Sequence, residues 1–238
     1  MKTLGLIGGM SWESTAIYYR HLNEIARERL GGLHSAKLLL WSFDFADVAD
    51  LQQAGDWEGA TALMIDAARR LEAGGAEALV ICTNTMHRMA SALETAVDLP
   101  LIHIADATAG RMKAAGAMRP ALLATRFTME QDFYIGRLRD RHRIDPLVPD
   151  EEGRAVIHRV IYEELCRGEV RSESKAAYVE QIERLRRSGA DSVILGCTEI
   201  TMLIGPEDTE LPVFDTTRIH AEAAMDFALG DLHADAGQ

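Results

Sequence analysis

Hydrophobic residues in this chain occur in short continuous runs, and a longer amphipathic stretch follows most of them. The runs are rich in Leu, Val and Ile without polar alternation, which is typical of strands buried on both faces of a parallel sheet under helices. The predicted strands are 3–7, 37–43, 78–82, 101–104, 121–125, 192–196 and 212–214. The predicted helices are 12–30, 57–73, 127–139, 151–167 and 174–188. This order of strands and helices predicts an α/β protein of the doubly wound class.

Two segments of the chain repeat the same pattern. Residues 75–85 align with residues 189–199 at an offset of 114, and residues 4–13 align more weakly with residues 121–130 at an offset of 117. The stronger pair is a helix end, a buried strand and a small polar cluster. The repeat therefore predicts two similar α/β lobes. Because ligands of such sheets bind at the carboxyl ends of strands, it also predicts a cleft between residues 83–85 and 197–199.

Composition narrows the class of protein. The 238 residues are 47% hydrophobic and 26% charged, which is typical of a globular chain. A net charge of −12 repels phosphate backbones, so we expect no nucleic-acid partner. No apolar run reaches the roughly 18 residues of a membrane span, and the first run is too short for a signal peptide. We therefore predict a cytoplasmic protein without a membrane partner.

The three cysteines have no CxxC spacing, which argues against a disulfide framework and a zinc ribbon. Cys197 follows a buried strand at the predicted start of a helix, where the helix N-terminus favours a thiolate. It is the strongest candidate for a reactive group, although a buried structural cysteine is the simpler alternative. Cys82 and Cys166 are more typical of the core and of a helix end, respectively.

Small polar residues occur at the predicted turns from strand to helix. Asn84, Thr85 and Thr198 could bind a carboxylate together with helix-start amides, whereas ordinary N-capping explains each one taken alone. The run 8–11 lacks the spacing of a dinucleotide motif, and we interpret Ser11 as a helix cap. The histidines have no metal-ligand spacing, so we predict no metal site.

Several of these segments resemble the aspartate/glutamate racemase family over essentially the whole chain. The matching motifs are Ile7–Thr15, Asn84–His87, Thr125–Met129 and Gly196–Ile200. The resemblance implies two Rossmann-like lobes with parallel sheets, an active site in the cleft between them, and a last helix that returns to the first lobe. The lobes would be 1–104 with 212–238, and 105–211. It also implies amino-acid racemisation without a cofactor, usually in a homodimer.

The family mechanism uses two cysteines on opposite faces of the substrate, because a single base can only return a proton to the face it came from. The resemblance makes Cys197 the second of these cysteines, which acts on the L-enantiomer. The same resemblance assigns substrate contacts to a group of polar and cleft-lining residues. They are Met10, Asn84, Thr85, Thr125, Thr198 and Glu199.

The chain departs from the family at the first cysteine. The family pattern is Cys-Asn-Thr, whereas Thr83 precedes Asn84 here and Cys82 lies one residue earlier. Adjacent strand residues face opposite sides of a sheet, so we expect Cys82 not to replace the missing thiol. A threonine hydroxyl is much harder to deprotonate than a thiol. We therefore predict an asymmetric racemase in which Thr83 lies opposite Cys197 and the D-enantiomer is a poor substrate.

The substrate side chain is the second departure. Strict aspartate racemases carry an Arg near 43–48 and a Lys before the glycine at 168, whereas this chain has Val48 and Cys166-Arg167. Gln52 and Arg126 remain polar candidates for the side-chain contact. Aspartate and glutamate are the predicted substrates, and neutral amino acids are an alternative. Two further alternatives are a one-thiol decarboxylase of the same superfamily and an amino-acid-binding protein without catalysis.

Overall fold

The computed structural model describes residues 1–230 of the chain, which form two compact units. Of the described residues, the first unit comprises Met1–His103 and 220–230, and the second comprises Ile104–Ile219. Each unit contains its own sheet of parallel strands, so the predicted α/β class is confirmed.

The first unit is built around one parallel sheet. In chain order its elements are β1 (Leu4–Gly8), α1 (Trp12–Leu30), β2 (Leu38–Ser42), α2 (Phe45–Ala54), α3 (Trp57–Ala73), β3 (Ala78–Ile81), a 3-10 helix (Thr85–Met89), α4 (Ala90–Ala96) and β4 (Leu101–Ile102). The strand order is β2-β1-β3-β4. Both inner strands, β1 and β3, are buried along their whole length. The edge strand β2 is only half-buried, so the prediction of burial on both faces is wrong for it.

The second unit has the same plan with a smaller sheet. Its elements are α5 (Ile104–Ala114), β5 (Pro120–Ala124), α6 (Arg126–Glu130), α7 (Asp132–His142), α8 (Glu151–Glu163), a 3-10 helix (Leu165–Arg167), α9 (Ser172–Arg187), β6 (Ser192–Gly196), two 3-10 helices (Thr198–Met202 and Pro206–Asp208) and β7 (Val213–Asp215). The strand order is β5-β6-β7. The final helix, α10 (Thr216–Leu229), begins in the second unit and continues into the first.

The predicted repeat corresponds to equivalent elements in the two sheets. β3 and β6 are inner strands of their sheets, and each is followed within a few residues by a 3-10 helix. The polar clusters of the repeat therefore follow equivalent strands.

Local signals fix several boundaries of the elements. α1 has the predicted bounds, because the hydroxyl of Ser11 accepts a hydrogen bond from the backbone N–H of Ser14 at one end and Gly31 ends the helix at φ +74°. The predicted helix 127–139 is instead two helices, α6 and α7. Gln131 between them has extended backbone, with φ −107° and ψ 146°. This break lets Met129 and Tyr134 both pack into the core of the second unit.

The last strand changes the expected division of the chain. We expected residues 212–238 in the first lobe, but β7 pairs with β6 in the second sheet. The division after Ile219 therefore differs from the expected one. In residues 1–230, no helix combines the length and the hydropathy needed to cross a membrane.

Candidate active site

The loop after β3 carries the first group of predicted site residues. Cys82 is fully buried in the core of the first unit with residues of β1, α1 and α10, and burial raises the pKa of its thiol far above the usual range. The prediction that Cys82 belongs to the core is confirmed. Thr83, the next residue, is only half-buried. The two neighbours therefore occupy different environments.

A histidine fixes the backbone at Thr83. The Nδ1 atom of His87 lies 2.8 Å from the carbonyl oxygen of Thr83, and a carbonyl oxygen can only accept, so Nδ1 carries the proton. His87 is buried, with its ring centroid 4.7 Å from that of His103 and 5.5 Å from that of His220. The sequence pattern did not indicate a role for His87. The four-residue spacing from Thr83, at the start of a helical turn, is the signal that could have indicated one.

Other predicted residues of the first unit are buried close to this loop. Asn84 precedes the 3-10 helix without capping it through its side chain, and Thr85 is the first helical residue; both are buried. Met10 and Met86 belong to one core cluster of the first unit. The amide nitrogen of Gln52 on α2 lies 3.2 Å from the sulfur of Met86. Gln52 is therefore an internal polar group of this unit rather than a surface residue.

The end of β6 carries the predicted thiol. Cys197 directly follows the strand, is half-buried, and precedes the 3-10 helix Thr198–Met202. Its Sγ donates a hydrogen bond to Oε2 of Glu199 at 2.9 Å. The carboxylate of Glu199 is itself buried, with 3% of the residue exposed. A half-buried thiol and a buried carboxylate are thus paired at the carboxyl end of an inner strand.

The second oxygen of Glu199 contacts another cysteine. Sγ of Cys166 lies 3.8 Å from Oε1 of Glu199, within hydrogen-bond distance for sulfur. The sequence pattern predicted a structural role for Cys166 at a helix end. It could not show this contact, because the residues are 33 positions apart in the chain.

The electrostatics of Cys197 differ from the expectation. We expected a helix N-terminus to lower the pKa of the thiol. Burial and the nearby charge of Glu199 instead raise the pKa of Cys197 well above its usual value. The helix that follows has only five residues, so its dipole is small. Before substrate binds, the proton therefore stays on sulfur.

The other predicted site residues of the second unit follow β5 and β6. Thr125 follows β5, which pairs with β6, and its hydroxyl caps α6 by accepting from the backbone N–H of Thr128. The hydroxyl of Thr198 lies 2.9 Å from that of Thr217, and both residues are buried. Arg126 is exposed. In residues 1–230, no group of three or more His, Cys, Asp or Glu side chains is arranged to hold a metal ion.

Comparison with known proteins places this arrangement in a family. The family model described as Asp/Glu/hydantoin racemase matches residues 7–224. The chain belongs to the Asp/Glu/hydantoin racemase family. Membership makes the protein an isomerase, an amino-acid racemase, and confirms the resemblance seen in the sequence motifs.

Solved structures of related proteins share the racemase fold. A Yersinia pestis protein described as an Asp/Glu racemase is 52% identical with a TM-score of 0.90, and the match covers 96% of this chain and 100% of that one. An aspartate racemase homologue from Pyrococcus horikoshii OT3 is 35% identical with a TM-score of 0.83, covering 96% and 99%. Among curated proteins, the broad-specificity amino-acid racemase RacX of Bacillus subtilis (strain 168) is 19% identical over 232 residues, covering 93% of this racemase and 96% of RacX.

Proposed function

We propose that this racemase inverts the α-carbon of L-aspartate and L-glutamate without pyridoxal phosphate. Cys197 removes the α-proton of the L-enantiomer, and the proton of the product is delivered on the side of Thr83. The observation that carries the proposal is the 2.9 Å hydrogen bond from the Cys197 thiol to the buried carboxylate of Glu199. This contact provides an acceptor for the thiol proton at the point where a base is needed.

The proton transfers balance in four steps. Once substrate is bound, the thiol of Cys197 passes its proton to Glu199, leaving a thiolate and a carboxylic acid. The thiolate then takes the α-proton of the substrate, and the C–H electron pair remains on the substrate as an enediolate. Water supplies a proton to the other face through the hydroxyl of Thr83. The hydroxide that remains takes the proton from Glu199, which restores the starting state.

Charge on the enediolate needs hydrogen-bond donors at fixed positions. Asn84 and Thr85 follow β3, Thr198 follows β6, and all three residues are buried. The side-chain amide of Asn84 and the two threonine hydroxyls can act as such donors. We assign them to the substrate α-carboxylate, where donors held in place lower the barrier most. Met10 follows β1, which pairs with β3, and Thr125 follows β5, which pairs with β6. We assign both residues to the walls of the site.

The two directions of the reaction should differ in rate. A thiol has a reference pKa of about 8.5, whereas an aliphatic hydroxyl is far less acidic. Thr83 can pass on a proton from water, but it is a weak base for a D-substrate. The expected enzyme therefore removes the α-proton of L-substrates much faster than that of D-substrates.

Uncharged residues occupy the two positions that would contact the substrate side chain. Val48 is an apolar residue of the core, and Cys166 carries a thiol that contacts Glu199. Neither side chain is a cation that could bind the second carboxylate of the substrate. Gln52, buried and polar, is our candidate for that contact. A broader specificity that includes neutral amino acids is the second candidate, which is favoured by these neutral positions and by the similarity to RacX. We also propose a homodimer located in the cytoplasm.

The deciding experiment measures α-proton exchange and inversion together. L- and D-forms of aspartate, glutamate and several neutral amino acids are incubated with the enzyme in D₂O, followed by NMR and a chiral assay. We expect exchange of L-aspartate and L-glutamate to precede inversion. Cys197→Ala should abolish exchange, since a general base contributes ~10²–10⁴-fold.

Cys82→Ala is the matched control, because it removes a thiol one residue from Thr83 that lies in the core. It should retain exchange at a rate near that of the wild type. Exchange that survives in Cys197→Ala, or equal rates from both enantiomers, would contradict the proposed roles. Ligand-dependent thermal stabilisation without any exchange would indicate a binding protein, and CO₂ release from a disubstituted malonate would indicate a decarboxylase.

A further inference from the structure

Glu199 has a thiol on each side of its carboxylate. Sγ of Cys197 donates to Oε2 at 2.9 Å, and Sγ of Cys166 donates to Oε1 at 3.8 Å. The two cysteines come from separate elements, since Cys166 lies in the 3-10 helix Leu165–Arg167 and Cys197 follows β6. The carboxylate that would receive the proton of Cys197 is therefore held from a second direction.

Hydrogen bonds and an ion pair stabilise the turn that carries Cys166. Buried Glu164 precedes it and accepts a hydrogen bond from the hydroxyl of Ser174 at 2.6 Å. The guanidinium of Arg171 lies 3.8 Å from the other oxygen of Glu164. Gly168 ends the turn in the left-handed region at φ +74°, and its N–H donates to the carbonyl of Leu165 at 2.9 Å. These contacts fix the backbone of the turn on both sides of Cys166.

We propose that Cys166 is a positioning residue for the proposed racemisation, holding the Glu199 carboxylate toward Cys197 and setting how readily Cys197 releases its proton. The inference rests on the proposed function. A carboxylate alone could rotate between the two thiols, whereas an S–H donor on Oε1 leaves Oε2 directed at Cys197. The alignment of that hydrogen bond decides how easily the proton moves from sulfur to oxygen.

The charges around the cluster support the second part of the proposal. Tyr162 of α8 and Tyr178 of α9 are the neighbouring phenols, and burial raises the pKa of both above the usual range, so they stay neutral. The hydroxyl of Tyr178 is also held by the carbonyl of Ile157 at 2.9 Å. The charges that raise the pKa of the Cys197 thiol are therefore that of Glu199 and, once its own thiol has ionised, that of Cys166.

Two substitutions distinguish the alignment of the hydrogen bond between Cys197 and Glu199 from the charge of an ionised Cys166. Cys166→Ala removes both the donor and the ionisable group, and Cys166→Ser keeps a donor that does not ionise. We expect Cys166→Ala to lower kcat for L-aspartate roughly tenfold with KM nearly unchanged, a smaller loss than the ~10²–10⁴-fold effect of a group that transfers the proton itself. Cys166→Ser should restore most of kcat. In both variants the rising limb of the pH profile should move to lower pH, by about one pH unit.

A second readout does not depend on turnover. The rate at which iodoacetamide alkylates Cys197, followed by peptide mass spectrometry across pH, reports ionisation of that thiol. Its midpoint should fall in both variants, with circular dichroism and Tm confirming that they are folded. Unchanged midpoints, or a kcat in Cys166→Ala within twofold of the wild type, would overturn the inference. A shifted midpoint in an enzyme that exchanges no amino-acid α-proton would refute the proposed function while retaining the link between the cysteines.

Discussion

Cys82 and Thr83 show how one position in the chain changes the chemistry available to a residue. The sulfur of Cys82 is fully buried among apolar side chains, where a thiolate would have no partner to compensate its charge. Thr83 is half-buried, and its carbonyl is held by His87. Of the two, only Thr83 is placed where its side chain could reach a ligand.

A thiol added at position 83 should make the two directions of the reaction more equal in rate. We predict that Thr83→Cys increases the rate of α-proton exchange from D-aspartate at least about tenfold, because a thiol ionises far more readily than a hydroxyl. Exchange in D₂O from pure D-substrate measures the effect. Thr83→Ser, which keeps the hydroxyl, is the control and should leave the D-rate low. If Thr83→Cys leaves the rate of α-proton exchange from D-aspartate unchanged, Thr83 has no part in the proposed mechanism.

At the scale of single residues, local sequence patterns predicted whether a side chain is buried but not which side chains it contacts. Strand alternation placed Cys82 in the core, and the structure confirms this. The contact between Cys166 and Glu199 could not be predicted in the same way, because it depends on the packing of a turn after α8 against the helix after β6. The pKa of Cys197 was predicted in the wrong direction for the same reason: its neighbours in space were unknown.

At the scale of elements, the spacing of β5 and β6 controls where Cys197 lies. Gly196 is the last residue of β6 and pairs with Ala124. A Cβ added at Gly196 would lie 2.9 Å from the Cβ of Ala124 and 3.0 Å from Cδ1 of Leu122. These distances are shorter than van der Waals contact, so the two strands would have to move apart.

We predict that Gly196→Ala lowers the free energy of unfolding by about 1–3 kcal/mol, as is usual for overpacked cores. It should also lower kcat, since it displaces the residue that precedes Cys197. Urea unfolding and the exchange assay measure the two effects. Gly110→Ala is the control: Gly110 lies in α5 with nothing within 4 Å of an added Cβ, so this change should stabilise the protein by ~0.5–1 kcal/mol. Equal stability of the two variants would contradict the strand-spacing argument.

Elements whose signals are local were predicted well. α1 and α3 have the bounds that their apolar periodicity and capping residues indicate. The helix over 127–139 was wrong, because continuous amphipathicity does not show that the backbone is extended at Gln131. The short helix α4 and helix α5 were not predicted at all, since the first has seven residues and both are rich in alanine, which leaves little periodic contrast.

At the scale of the whole molecule, a buried histidine links stability to pH. His220 is fully buried, its Nε2–H donates to the carbonyl of Ile102 at 2.7 Å, and its Nδ1 accepts from the hydroxyl of Tyr18 at 2.8 Å. Both ring nitrogens are therefore satisfied in the neutral form. Burial lowers the pKa of His220 to about 4 from the usual 6.5.

This shift fixes the sign of the pH dependence. Between pH 6.5 and about 4 the unfolded chain binds a proton at this histidine and the folded protein does not, so stability falls as the pH falls through this range. The loss should reach about 3 kcal/mol near pH 4. Urea unfolding between pH 5 and 7 should show a smaller slope for His220→Gln than for the wild type. His34→Gln, at an exposed histidine, should keep the wild-type slope, and equal slopes in all three proteins would contradict the prediction.

The sequence by itself determined the α/β class, the parallel strands, the repeated strand-and-turn pattern and the family, because these depend on periodicity and on short contiguous motifs. It also indicated that Thr83, rather than Cys82, occupies the position of the first family cysteine. The tertiary structure decided that β7 pairs in the second sheet, that Cys197 donates to Glu199, and that Cys166 contacts the other oxygen of that carboxylate. Those contacts join residues of different elements, and the burial that raises the pKa of Cys197 exists only after the elements have packed.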